Sequence, residues 1–213
     1  MINRRNFFSR LFGGNKPKEM GFLGIQVAFN YYGKETLRSE IHHIINAPVD
    51  DEETPAEKKR IYRKIVMKLL EAEPYYEYGF WDFIPDAARA ESEFRHWVND
   101  IEANLALEED EVADEVDGIS RLSANKYYVV VSLCFLLEAS AMLDRFVETV
   151  IDDIPEEEYM TRETFARLIA AINQFDFEYC YGDAVYIMPG NEKDGISYED
   201  LLGEGWEYLK MIS

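Results

Sequence analysis

Two Glu-x-x-His pairs are the residues of this sequence whose types and spacing best match a known kind of chemistry. Glu40 precedes His43 by three positions, and Glu93 precedes His96 by three. In an α-helix this spacing places a carboxylate and an imidazole on one face. Di-iron and di-manganese carboxylate bundles use two such pairs as ligands. One hypothesis is therefore a carboxylate–histidine metalloprotein that holds iron or manganese. The competing interpretation is an exposed ion pair within each helix, because glutamate is common enough in this acidic chain to give such spacings by chance.

The sequence carries no other recognised catalytic signature. It has no GxGxxG or GxxxxGK[ST] phosphate loop, no GxSxG elbow and no HExxH. No sequence context ties a serine or cysteine to one of its three histidines. Cys134 and Cys180 lie in apolar or aromatic runs outside any metal-ligand spacing, which is typical of buried free thiols in a reducing compartment. We therefore assign no catalytic residue and favour a non-enzymatic protein.

Residues 75–83 contain six aromatic side chains in nine positions. A loop rich in rings either covers the core or offers a platform to a partner, and core cover is the simpler interpretation. As a hypothetical interaction site, the segment contributes Tyr75, Tyr76, Tyr78, Phe80, Trp81 and Phe83.

The charge of the chain is unevenly distributed. The formal net charge is −20. Residues 1–20 contain five basic side chains and one acidic side chain, a net of +4, so the remaining residues carry −24. An acidic body repels phosphate backbones, so nucleic acid is excluded as a partner and an unidentified protein is expected instead. The acidic surface is either a solvated face or a docking face for a basic partner.

We expect a cytoplasmic protein without stable membrane insertion. No segment reaches the ~18 consecutive apolar residues of a membrane-spanning helix. Residues 3–8, Asn-Arg-Arg-Asn-Phe-Phe, resemble a twin-arginine export signal, but no continuous apolar region or small-residue cleavage site follows. Export through this start is the alternative. Residues 2–12 could also form a short basic helix that makes weak peripheral contact with an anionic membrane.

Periodicity predicts an α+β domain. Apolar, β-branched runs predict strands over residues 21–29, 126–137 and 177–188, with the second at the centre of the sheet. Capping boxes at Thr54-x-x-Glu57 and Ser197-x-x-Asp200 predict helix starts. A long helix is expected over residues 85–108, followed by an acidic loop. The predicted architecture is a small sheet of about three strands with five to six helices packed on it, formed by residues 21–213 behind a flexible basic tail, residues 1–20.

The chain also resembles an uncharacterised family, domain of unknown function 1517, which includes thylakoid-associated plant and cyanobacterial proteins and bacterial members. The resemblance covers about residues 22–212. It is carried by four segments: Leu69-Leu70 with Pro74-Tyr75-Tyr76-Glu77-Tyr78-Gly79, Val130-Val131-Ser132-Leu133, the strand and proline of residues 184–189, and the turn of residues 194–197. The family tryptophan of the last strand is absent, and Tyr186 stands within that run. No catalytic residues are established in this family. The resemblance therefore implies a protein-interaction or regulatory module.

Overall fold

The α+β class predicted from the sequence is confirmed. The structure, a computed structural model, describes residues 5–6, 19–47, 54–114, 126–190, 194–203 and 205–213. The described residues form six strands: β1 (Arg5–Asn6), β2 (Met20–Asn30), β3 (Tyr76–Ile84), β4 (Tyr128–Glu138), β5 (Cys180–Met188) and β6 (Lys210–Met211). The same residues form six α-helices: α1 (Glu35–Ile45), α2 (Pro55–Ala72), α3 (Ala87–Asp114), α4 (Ala141–Phe146), α5 (Arg162–Ala171) and α6 (Tyr198–Leu201).

All six strands belong to one antiparallel sheet in the order β1-β5-β4-β2-β3-β6. Every residue of β4 except Glu138 is buried, which confirms that this apolar run lies at the centre of the sheet. The predicted number of strands was wrong, because about three were expected. The additional long strand is β3, which the aromatic segment forms, and the two-residue strands β1 and β6 lie at the outer edges.

Alternate residues of the central strands point to opposite faces of the sheet, and each face has its own apolar core. One face is covered by α1, α2, α4 and α5 and includes Leu23 and Ile25 of β2. The other face is covered by α3 and α6 and includes Phe22 and Ala28. The sheet is therefore the middle of three layers, which explains why its long strands lack a polar side and read as continuous apolar runs.

The predicted helix starts are confirmed, and the predicted acidic loop was wrong. Thr54 and Glu57 form the capping box of α2, and Ser197 and Asp200 form that of α6. The acidic stretch that we expected to be a loop continues α3 as far as Asp114. Glutamate and alanine are strong helix formers, so this stretch has the local propensity to extend the helix without an apolar stripe.

The basic tail is described only in part. Arg5 and Asn6 pair with Val185 and Ala184 at the edge of β5. Met20, the last residue of the predicted tail, already belongs to β2. Most of the export-like start and of the segment predicted to touch a membrane lies outside the described residues. None of the described helices combines the length and apolarity needed to cross a membrane.

Candidate functional site

A cleft of about 510 Å³ opens on the α3 face of the sheet. Its floor is formed by β2 and β3, one wall by α3 and the other wall by residues 205–208, which precede β6. The long apolar side of α3 packs on the sheet, and the adjacent side borders the cleft. Glu93, Trp97, Asp100 and Asn104 recur at helical spacing on that side.

The floor of the cleft contains a buried polar pair. Gln26 lies opposite Ser132 in the β2–β4 register, and its Nε2 donates a hydrogen bond of 2.9 Å to Ser132 Oγ. Gln26 is 2% exposed and Ser132 is fully buried. Gln26 borders the cleft, so its amide is a polar group that the fold places at the bottom of the cavity.

Three aromatic rings surround this floor. The rings of Phe80 and Trp97 stack at 5.7 Å with an interplanar angle of 28°. Tyr208 meets Phe80 edge to face at 5.8 Å. Trp97 can lie this close to the sheet because β2 has a glycine beneath it: a Cβ on Gly24 would lie 2.7 Å from the indole. Burial raises the pKa of Tyr208 to about 12, so its hydroxyl stays protonated at neutral pH.

Four carboxylates border the cavity: Asp82, Glu93, Asp100 and Glu207. No lysine or arginine is among the described residues that line it. Burial, and to a smaller extent the negative charge of Glu93, raises the pKa of Asp82, while a hydrogen bond from the Phe83 backbone and the charge of Arg89 oppose this effect. The cleft is thus an aromatic cavity with an acidic rim.

The structure brings one of the two predicted metal-binding pairs to this cleft and leaves the other far from it. Glu93 and His96 both border the cavity on α3. Glu40 and His43 lie on α1, which covers the opposite face of the sheet. Among the residues that the structure describes, no group of three or more histidine, cysteine, aspartate and glutamate side chains could hold a metal ion. The iron or manganese hypothesis stays a prediction, but the two pairs do not form one site.

Glu40 of the first pair and His96 of the second each lie close to a charged residue outside the Glu-x-x-His spacing. Glu40 Oε2 lies 2.5 Å from Lys68 Nζ of α2. His96 Nε2 lies 3.3 Å from Asp100 Oδ2, one turn further along α3. The interpretation as ion pairs within each helix therefore stays a prediction beside these two contacts.

The aromatic segment divides its rings between the two faces of the sheet. Tyr76 is fully buried, and its hydroxyl donates to the Leu69 carbonyl at 2.7 Å. Trp81 and Phe83 pack on the α2–α5 side, and Tyr78 and Phe80 face the α3 side. Tyr75 lies just before β3, with Lys34 Nζ 5.5 Å from its ring centroid. Of the six predicted contact residues, Phe80 is the one that lines the cleft.

Several residues of the cleft were missed because they are distant in sequence. Gln26 and Ser132 did give a signal, since each is a polar residue inside a buried apolar strand. Asp82 likewise interrupts an aromatic run. Tyr208 and Glu207 come from the C-terminal segment and carry no local sign of the cavity.

Both cysteines are buried, and neither is in a disulfide. Cys134 faces the α3 core and Cys180 faces the opposite core, so the sheet separates them although their strands are neighbours.

No protein-family model, curated protein or solved structure matches this chain. The resemblance to domain of unknown function 1517 therefore stays a prediction.

Proposed function

We propose that this protein is a non-enzymatic interaction module that receives a lysine or arginine side chain of a basic partner protein in the cleft. The observation that supports the proposal is the coincidence of aromatic rings and carboxylates around one cavity. Phe80 and Trp97 offer aromatic surface, and Asp82 and Glu93 offer negative charge beside it.

Each part of the cleft suits a cation attached to an apolar stem. An ammonium or guanidinium group near an aromatic face gains roughly 0.5–2 kcal/mol, depending on its exposure. The methylene stem of lysine or arginine can lie along the rings while the charged head meets the rim. Gln26 at the floor offers a neutral hydrogen-bonding group that does not repel a cation. The volume of about 510 Å³ exceeds what one side chain fills, so a neighbouring part of the partner would enter as well.

The charge of the whole chain acts in the same direction. A net charge of −20 attracts a basic partner over distances longer than a contact. The Debye length is about 8 Å at physiological ionic strength, so this attraction weakens with salt. The interactions inside the cleft are less exposed to salt and would determine specificity.

Intrinsic tryptophan fluorescence, to which Trp97 contributes together with Trp81 and Trp206, gives a test. Capped peptides that contain arginine are titrated against the full chain, and matched peptides carry citrulline, which keeps the shape of arginine and removes its charge. We expect saturable binding of the arginine peptides and at least about tenfold weaker binding of the citrulline peptides, because a charge-assisted contact contributes roughly 1.5–3 kcal/mol.

Variants of the chain test whether the arginine peptides bind in the cleft. Glu93→Gln with Asp100→Asn should weaken binding of the arginine peptides. Glu156→Gln with Glu157→Gln removes the same amount of charge at exposed positions outside the residues that line the cleft, and should leave binding nearly unchanged. Equal affinity of the arginine and citrulline peptides, or equal effects of the two double variants, would show that the cleft is not the cation site.

A further inference from the structure

Strand β3 is covered along only part of its outer edge. It has nine residues, and β6 pairs with only two of them, Tyr78 and Gly79. The Ile212 N–H donates to the Glu77 carbonyl at 2.9 Å and continues this contact toward the start of β3. On the other side, the Leu209 N–H donates to the Trp206 carbonyl at 2.9 Å and closes a turn that ends the pairing.

The register shows which backbone groups of β3 face outward. In an antiparallel sheet, the backbone groups of successive residues point alternately to the two neighbouring strands. The hydrogen bond at Glu77 faces β6, so Gly79, Trp81 and Phe83 point the same way. Within the part of the chain that the structure describes, no strand pairs with the outer edge beyond Gly79.

This edge, with which no described strand pairs, lies beside the cleft. Phe80 and Asp82 belong to the same stretch of β3, and their side chains border the cavity. The stretch from Phe80 to Ile84 has five residues, which is about 16 Å of strand. Trp81 and Phe83 point to the opposite side, where they pack, partly buried, against the apolar core, and the Trp81 indole N–H donates to the Tyr159 carbonyl at 2.8 Å.

We propose that the basic partner binds as an additional antiparallel strand on the edge of β3, in line with β6, while its cationic side chains enter the cleft. This inference rests on the proposed function and adds the mode of recognition. Strand addition supplies backbone hydrogen bonds along an exposed edge, and alternate side chains supply specificity.

The residue pattern expected of the partner segment follows from the side of the sheet that each of its side chains would face. Directly opposed residues of an antiparallel pair point to the same side of the sheet. Partner residues opposite Phe80 and Asp82 therefore face the acidic cleft and are basic. Those opposite Trp81 and Phe83 face the apolar side. The partner segment is thus an extended run that alternates lysine or arginine with apolar residues.

Backbone methylation of a peptide tests this mode without altering the protein. The probe is a capped seven-residue peptide of alternating valine and arginine. In the proposed register, the valine amides face β3 and the arginine amides face solvent. N-methylation of the valine amides should therefore weaken binding at least about tenfold, and N-methylation of the arginine amides should be tolerated.

Amide exchange of the protein provides a second readout. The outward N–H of Trp81 should exchange more slowly when the unmethylated peptide is bound, and its exchange should not change with the peptide methylated at valine. Equal binding of the two methylated peptides, or loss confined to methylation at arginine, would overturn the antiparallel strand and leave cation binding in the cleft standing. Failure of all peptides to bind in an arginine-dependent way would instead overturn the proposed function.

Discussion

Lys58 Nζ lies 2.6 Å from Asp183 Oδ1, and the Asp183 carboxylate is fully buried in the sheet beneath α2. The hydroxyl of Tyr62, one turn further along α2, donates to the second carboxylate oxygen at 3.0 Å. Burial raises the pKa of Asp183, while the charge of Lys58 and the hydrogen bonds from Lys58 and Tyr62 oppose this increase. The pair attaches α2 to β5 at one defined position.

Lys58→Met should destabilise the protein by about 3 kcal/mol at neutral pH, because it leaves a buried carboxylate without its cation. A raised pKa in the folded state means that the unfolded chain loses this proton first as the pH rises. The contribution of Asp183 to the free energy of unfolding therefore falls as the pH rises from the ordinary pKa of aspartate to the raised pKa of the folded state. Without the charge of Lys58 the pKa of Asp183 is raised further, so this loss of stability with pH is larger in the variant. The difference in the free energy of unfolding between Lys58→Met and wild type should therefore be smallest near pH 4.

Urea unfolding of wild type and variant at a series of pH values from about 4 to about 7 measures this difference. Lys64→Met, at an exposed position of the same helix, is the control and should change the free energy of unfolding by less than about 0.5 kcal/mol. An equal deficit of Lys58→Met at both ends of the pH range would contradict the assigned role.

Variants of the buried pair Gln26–Ser132 distinguish an effect on stability from an effect on peptide binding. Ser132→Ala removes the acceptor of the Gln26 amide and should cost about 1–3 kcal/mol. The double change Gln26→Leu with Ser132→Ala replaces both polar groups and should recover most of that loss. If the polar floor serves the ligand, this double variant should still bind arginine peptides more weakly than wild type. Chemical unfolding gives the free energy of unfolding, and tryptophan fluorescence on the same samples gives the affinity for the arginine peptides. A double variant with unchanged affinity would show that Gln26 is not part of the binding site.

The sequence predicts the helices and strands of this fold well where residues close together in the chain determine the secondary structure. The apolar runs that became β2, β4 and β5 and the two capping boxes carry their own signals. The aromatic segment was taken for a loop because it has no polar–apolar alternation. That alternation is absent because both faces of β3 are covered, and Gly79 at its middle leaves room for Phe165, whose ring would lie 2.7 Å from a Cβ at this position. The two-residue strands β1 and β6 are defined by their pairing partners rather than by their own residues.

The cleft was less predictable than the fold because it depends on distant pairing. Helical spacing did identify Glu93 and His96 as neighbours on one side of α3. Nothing local indicates that Gln26 lies opposite Phe80 in the β2–β3 register, or that Tyr208 closes the other wall. Nothing local indicates either that Glu40–His43 and Glu93–His96 lie over opposite faces of the sheet, because a sequence does not show which face a helix covers.

Gly24 of β2 leaves room for the indole of Trp97, which forms part of the cleft wall. Gly24→Ala would place a methyl group 2.7 Å from both the Trp97 indole and the Phe22 ring. Rigid rings relieve such an overlap only by moving, so we expect a loss of about 1–3 kcal/mol and weaker binding of arginine peptides. Near-ultraviolet circular dichroism should report the displaced indole. Gly190→Ala meets only the flexible end of Leu105 at 3.3 Å and is the matched control. Similar spectra and affinities for the two variants would show that Trp97 does not depend on Gly24.

Asp82 should make cation binding depend on pH. Burial raises its pKa, with a further contribution from Glu93, and binding of a cation requires the ionised form. Affinity for the arginine peptide should therefore fall on acidification, with a midpoint above the ordinary aspartate pKa.

Glu93→Gln removes the neighbouring negative charge, so the pKa of Asp82 and the midpoint should both move to lower pH even though affinity at neutral pH also decreases. Asp82→Asn should remove the Asp82 titration step, and Asp144→Asn, at an exposed position on α4, should leave it in place. Titrations at constant ionic strength, with far-ultraviolet circular dichroism to confirm folding at each pH, measure the midpoints. A midpoint that does not move in Glu93→Gln would contradict the coupling of these two carboxylates and place the pH dependence elsewhere on the rim.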